Sequence, residues 1–209
     1  MTEQIDLIRI VSGKNRSALR LAEEAHRGVR RKGTDFPYLL HPVQVAEVLA
    51  GLGADRHVVC AACLHDVVDD TDVTLNEIRE KFGGQVAELV AAVTKTLEIS
   101  AAPLEEQAPK VLELARTGGP DGVALKGADL PVNGTDFVLD AEERGVAYLA
   151  TIFGADRVLP KLDHYLRLAD LIAAELDDHP LYRRLSSALR SRFAELRLLR
   201  EQLGTREAA

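Results

Sequence analysis

The chain is 209 residues long, 46% hydrophobic, 28% charged and 4% aromatic, with no tryptophan, which allows one large domain with a real core and favours helix over sheet. Its net charge of −7 argues against a protein that coats nucleic acid by neutralising phosphates, yet leaves room for a local basic pocket that takes a small anion. Two cysteines, Cys60 and Cys63, are too few for a disulfide framework and fit a reducing compartment.

In chain order, the spacing of Ala18, Ala22, Ala25 and Val29, with Leu21 alongside, predicts an amphipathic helix over 15–31. Arg30, Arg31 and Lys32 stand at its end and Gly33 stops it. Cations there suit the negative end of a helix dipole, and an anion-binding patch is the sharper alternative. After a loop over 34–40, His41-Pro42 opens the next helix, with Pro42 in the first position that proline favours. His41 is then held just outside a rigid helix start, which suits either a structural role or a ligand. Val43, Ala46 and Leu49 or Ala50 form the buried side of that helix, and Gly51 and Gly53 end it.

Asp55 can cap a helix from Arg56 to about Val68, apolar nearly all round between Val58 and Leu64 and so expected at the centre of the core. Thr74-Leu75-Asn76-Glu77 is a capping box. It opens a helix with Ile78 and Phe82 that ends at Gly83, and another runs through Val86, Leu89, Val90 and Val93 to Leu97. Pro103 and Pro109 bracket or interrupt a helix on which Val111, Leu112 and Ala115 pack, and Thr117-Gly118-Gly119-Pro120 is a break. A short apolar helix over 123–133 carries Lys126 and Asp129, and Pro131 and Gly134 are expected to distort or end it.

Helical pattern resumes over 141–176, with a break at Gly154 and a kink or new start near Pro160. Asp178-His179-Pro180 is a boundary before a last helix over 181–203, with Leu185, Ala188 or Leu189, and Leu196 on one side. No alternating strand pattern is present, so the expected fold is all-α in one compact domain. No apolar run approaches a membrane span. The start, Met1-Thr2-Glu3-Gln4-Ile5-Asp6, lacks the basic and apolar regions of a signal peptide, so the expected location is the cytoplasm.

The chemistry centres on Cys63-Leu64-His65-Asp66-Val67-Val68-Asp69-Asp70-Thr71, where a His-Asp pair ends an apolar run and two more carboxylates follow. Divalent transition metals take imidazole and carboxylate ligands, and a catalytic site keeps a position open for water. Adjacent helix residues do not face the same way, but near a helix end two side chains can converge on one ion. His41 and Asp129 are candidates for the remaining ligands. Asp69 and Asp70 can orient an attacking water or shuttle its proton, or else, with Asp72, simply cap the following turn. Cys60-Ala61-Ala62-Cys63 has redox or zinc spacing but lies inside a helix without a second such pair, so it reads as small core residues.

Several ordered motifs then form one pattern. Ala25-His26 with Arg31-Lys32-Gly33 is followed by Pro37-Tyr38-Leu39-Leu40-His41-Pro42-Val43-Gln44-Val45-Ala46. Next come Leu64-His65-Asp66-Val67-Val68-Asp69-Asp70-Thr71 and Phe82-Gly83 through Val93-Thr94-Lys95, and last Lys126-Gly127-Ala128-Asp129 with Asn133. In these segments the chain resembles the HD-type hydrolase domain of the RelA/SpoT family, in particular its small stand-alone members related to the metazoan SpoT homologue. The resemblance implies a single all-α hydrolase domain over 1–209, with the motifs at about 15–135 and C-terminal helices at about 140–204. It implies one metal ion, usually manganese, on His41, His65, Asp66 and Asp129, with Asp69 and Asp70 as the acidic pair beside the attacking water. Arg31 and Lys32 would contact the nucleotide, and Asn133 its ribose or the water network.

The implied reaction removes the 3′-pyrophosphate from guanosine tetra- or pentaphosphate, while some stand-alone relatives instead take the phosphate from NADPH. No synthetase domain fits in the remaining length. The implied partner is a small-molecule nucleotide, with no nucleic acid and no membrane.

The chain departs from the family where Asp69 replaces the usual Glu, an arm shorter by one methylene, and where Gly127 and Pro131 interrupt a regular helix and Leu130 replaces a basic residue. Those departures keep open a non-catalytic nucleotide-binding or regulatory protein with a degenerate site. A helical interaction protein that forms a homo-oligomer through its Leu- and Arg-rich last helix can coexist with either.

Overall fold

The computed structural model describes residues 13–207; the start from Met1 to Asp6, on which the expected location leaned, lies outside them. The architecture is all-α, and among the described residues the single β pairing is a bridge between Arg30 and Pro37. The chain divides into two compact units, Met1–Thr94 and Lys95–Ala209. The division falls inside the motif-bearing stretch: His41, His65 and Asp66 lie in the first unit and Asp129 in the second.

The first unit contains α1 (Lys14–Ala25), α2 (Leu40–Leu52), α3 (Arg56–Leu64), α4 (Val67–Asp70), α5 (Leu75–Phe82) and α6 (Gly84–Val93). Every residue of α3 from Val58 to Leu64 is buried, and α1, α2 and α6 pack around it. That is what an all-round apolar helix requires, since any exposed side would leave hydrophobic area in water. Cys60 and Cys63 are buried and free, and burial pushes both thiols up, Cys60 to about 11. Thiols held protonated in this way are core residues. The capping box is formed: Thr74 Oγ1 accepts from the Glu77 amide at 3.3 Å, and Glu77 Oε2 accepts from the Thr74 amide at 2.9 Å.

Two boundaries differ from expectation. The helix expected over 15–31 stops at Ala25. Gly28 takes φ 80°, which costs a glycine little, and the chain folds back so that the Arg31 amide donates to Phe36 O and the Tyr38 amide to Val29 O. Arg30, Arg31 and Lys32 therefore belong to a loop and cap no helix. The helix expected over 56–68 is broken between α3 and α4, at His65 and Asp66.

The second unit contains α7 (Leu97–Ala101), α8 (Leu104–Arg116), α9 (Gly119–Arg144), α10 (Val146–Phe153), a 3₁₀ turn (Ala155–Arg157), α11 (Val158–Leu176) and α12 (Arg183–Glu207). Pro109 sits within α8 and cannot donate to the carbonyl of Glu105; the Arg167 guanidinium donates to it instead, at 2.9 Å.

The larger departure is α9, which runs through Pro131 and Gly134 to Arg144 and stops only at Gly145, φ 82°. Its glycines provide clearance. A Cβ on Gly127 would lie 3.0 Å from Ile172 Cγ2 and 3.2 Å from Leu185 Cδ2, and one on Gly134 would lie 3.0 Å from Leu196 Cδ1. Close packing of α9 on α11 and α12 outweighs the local cost of proline, about 3 kcal/mol in a helix interior.

Asp163 and Asp170 on α11 and Asp177 at its C-cap lie seven apart and pair in reverse order with Arg200, Arg197 and Arg190 of the antiparallel α12. Between the two helices, Leu162, Ile172 and Leu176 on one side and Leu185, Leu189, Phe193 and Leu196 on the other are buried.

Gly127→Val is expected to cost about 1–3 kcal/mol by overpacking, read as a lower urea midpoint at unchanged slope; an equal midpoint would show that no clearance is needed there. The Arg190 guanidinium and then the Ser186 hydroxyl hold the Asp177 carboxyl down at about 2, against an ordinary 3.8. A carboxyl depressed on folding stabilises fully above its unfolded value and loses that contribution as pH falls through the folded one. The wild type should therefore unfold at a higher urea concentration than Asp177→Asn at pH 6, with the gap closing towards pH 2; a constant gap would exclude this linkage.

Candidate metal centre

His41 is the second residue of α2, and Pro42 follows it inside the first turn, where its missing N–H would have had no helical partner. The ring is 2% exposed. His65 caps the C-terminus of α3, is 3% exposed, and places Nδ1 2.8 Å from Ala62 O. A carbonyl only accepts, so Nδ1 carries the proton and the Nε2 lone pair points away from the core helix. Asp66 follows at φ −101°, ψ −8°, in the sparsely allowed region between helix and strand where active-site residues often sit. On a continuous helix His65 and Asp66 would point in different directions. The break between α3 and α4 turns them to the same side.

The result is a three-donor cluster. His41 Nε2 and His65 Nε2 are 3.1 Å apart, and Asp66 Oδ2 lies 3.3 Å from the first and 3.2 Å from the second. Ligands about 2.1 Å from one ion stand about 3.0 Å apart on an octahedron and about 3.4 Å apart on a tetrahedron. The observed separations fall in that interval. Two imidazoles and a carboxylate are also the donor chemistry that divalent transition metals prefer. The residues present fit a divalent cation.

Tyr38, which sequence reasoning passed over as a site residue, stands against this cluster. Its hydroxyl lies 2.6 Å from Asp66 Oδ2 and 3.0 Å from Asp70 Oδ2, and its ring stacks on His26 at 4.6 Å and 24°. Burial, then the charge and hydrogen bond of Asp66, then Asp70, push the phenol well above its ordinary range, so it keeps its proton and acts as a donor. The available signal was its place three residues before His41, in the loop that feeds α2.

Asp69 and Asp70 are exposed on the single turn of α4. Arg31 and Lys32 lie on the 26–39 loop that ends in Tyr38, Arg31 half-buried and Lys32 exposed. The structure thus joins His41, His65, Asp66 and, through Tyr38, Asp70.

The other predicted residues belong to the second unit. Asp129 is 4% exposed on α9; Lys126 Nζ lies 2.7 Å from its Oδ2, and Asn133 Nδ2 donates to its Oδ1 at 2.6 Å. Residues three and four apart share a helix face, so the three side chains form one stripe that survives only because α9 continues through Pro131. Lys126 is the second residue the sequence reading assigned no role, and it supplies the cation that a buried carboxylate needs.

The HD domain family model matches residues 18–116, a span that includes His41, His65, Asp66, Asp69 and Asp70. The guanosine-3′,5′-bis(diphosphate) 3′-pyrophosphohydrolase of Aquifex aeolicus is 41% identical over 112 residues, which is 54% of this chain and 16% of that protein. The bifunctional (p)ppGpp synthase/hydrolase SpoT of Escherichia coli is 44% identical over 80 residues, 38% of this chain and 11% of that protein. The chain thus spans no more than about a sixth of the length of these curated relatives. A solved structure of a metazoan SpoT orthologue, described as hydrolysing ppGpp and acting in starvation responses, superposes with a TM-score of 0.68 at 25% identity, covering 88% of this chain and 96% of that one.

After chelator treatment the chain is expected to take up divalent metal in a calorimetric titration with Mn²⁺, and His65→Ala to weaken that uptake at least about tenfold. Equal affinity in the variant would remove His65 from the ligand set.

Proposed function

We propose that this chain, an HD-domain protein of the RelA/SpoT hydrolase type, is a manganese-dependent hydrolase that releases pyrophosphate from the 3′ position of guanosine 3′,5′-bis(diphosphate). One observation carries the reading: two buried imidazole nitrogens and a carboxylate oxygen meet within 3.3 Å, beside an exposed acidic pair. The two units are taken as one hydrolase domain over 1–209. The cytoplasm is proposed as its location, supported by the cysteine usage; among the described residues no helix is long and apolar enough to cross a membrane.

In this proposal His41, His65 and Asp66 hold the ion, and Asp129 is the fourth ligand on the strength of the family pattern. When bound, the ion supplies Lewis acidity to a phosphoryl oxygen and makes a water easier to deprotonate. Asp69 and Asp70 orient the attacking water and accept its proton. The water oxygen bonds to the phosphorus attached to the ribose 3′ oxygen, the P–O3′ bond breaks, and the 3′ oxygen leaves with a proton. Arg31 and Lys32 meet the negative charge of the nucleotide. Asn133, already a donor to Asp129, orients that carboxylate and reaches the ribose or the water network.

The test is pyrophosphate release from guanosine tetraphosphate by the purified chain with Mn²⁺. Turnover should stop with EDTA, and Asp70→Asn should lower kcat about 100-fold or more. Phosphate released from NADPH alone would change the substrate, and nucleotide binding without turnover would replace the enzyme with a binding protein.

A further inference from the structure

We infer that Tyr38 is a positioning residue, whose hydroxyl ties the exposed Asp70 carboxylate to Asp66 while His26 clamps its ring. The inference rests on the proposed hydrolase reading and adds a residue that the ligand and acidic motifs do not include.

Asp70 is exposed at the end of a single helical turn, where an aspartate without a partner would sample several rotamers. A base or water-orienting group working from such a place loses rate through misplacement, because an error near one ångström is costly. The Tyr38 hydroxyl counters this by lying 3.0 Å from Asp70 Oδ2 and 2.6 Å from Asp66 Oδ2. Its single proton, shared between the two oxygens, thereby connects a carboxylate in water to one anchored at the end of the core helix.

The phenol is itself fixed twice. Its backbone amide donates to Val29 O at 3.0 Å, closing the 26–39 loop, and its ring lies flat on His26. His26 is 5% exposed and hydrogen-bonds through Nδ1 to Ala22 O at 2.9 Å, which locks the stacking ring to α1. A rigid path therefore runs from α1 through His26 and Tyr38 to both carboxylates. Support of this kind behind a working carboxylate is what keeps a site within its productive geometry.

The test uses Tyr38→Phe, which keeps the ring and its stack and removes only the hydroxyl. Calorimetric titration of the metal-depleted full chain with Mn²⁺ should show an affinity several-fold weaker than wild type, because Asp66 has lost its donor. With guanosine tetraphosphate as substrate, kcat should fall at least about tenfold while KM stays within about threefold. At saturating Mn²⁺ in the Asp70→Asn background, Tyr38→Phe should lower kcat little further, since its effect on kcat acts through Asp70; fully additive losses in kcat would mean that it does not. Metal affinity, kcat and KM all within twofold of wild type would overturn the inference. If wild type fails to turn over the nucleotide, the hydrolase reading fails instead, and the Mn²⁺ affinities of wild type and Tyr38→Phe still decide the role of Tyr38. Circular dichroism of both proteins checks that the fold is kept.

Discussion

The burial of α3 on every side is the constraint on which the first unit depends. A helix whose residues from Val58 to Leu64 are all inside can exist only if other helices enclose it, and α1, α2 and α6 do so. It must also end where polar groups begin. His65 and Asp66 stand at that end, their backbone continuous with the most buried helix of the unit. Three donor atoms consequently meet near 3.2 Å without a loop of their own to hold them. The burial that makes the core also holds two of the three donors, His41 and His65, out of water.

In the second unit, packing plays the corresponding part along α9. Proline and glycine weaken an isolated helix, yet α9 keeps its turn through Pro131, and Gly127 and Gly134 let α11 and α12 approach closely. The Asp–Arg pairs between α11 and α12 lie at the exposed margin of this contact and contribute modestly each. The continuity of α9 keeps Lys126, Asp129 and Asn133 on one face, so Gly127 and Pro131 leave the stripe of polar residues intact.

The loop between α1 and α2 links composition to chemistry. Gly28 lets the chain reverse, the Arg30–Pro37 bridge closes it, and the closure presents Tyr38 to two carboxylates. The basic residues of the same loop are thereby taken away from any helix end.

The sequence by itself determined the helical class, the buried character of Val58–Leu64, the capping box at Thr74, the core role of both cysteines and the identity of His41, His65 and Asp66 as candidates. These depend on local period, on turn chemistry and on residue type, all of which are read along the chain. Only the tertiary structure decided that α1 ends at Ala25, that α3 breaks at His65, that α9 survives its proline, and that Tyr38 joins Asp66 to Asp70. Each of those outcomes turns on a contact between distant segments. Val29 O meets the Tyr38 amide, Gly127 meets Ile172 and Leu185, and residue 38 meets residues 66 and 70. Local propensities of about 1–3 kcal/mol are small enough for such contacts to overrule.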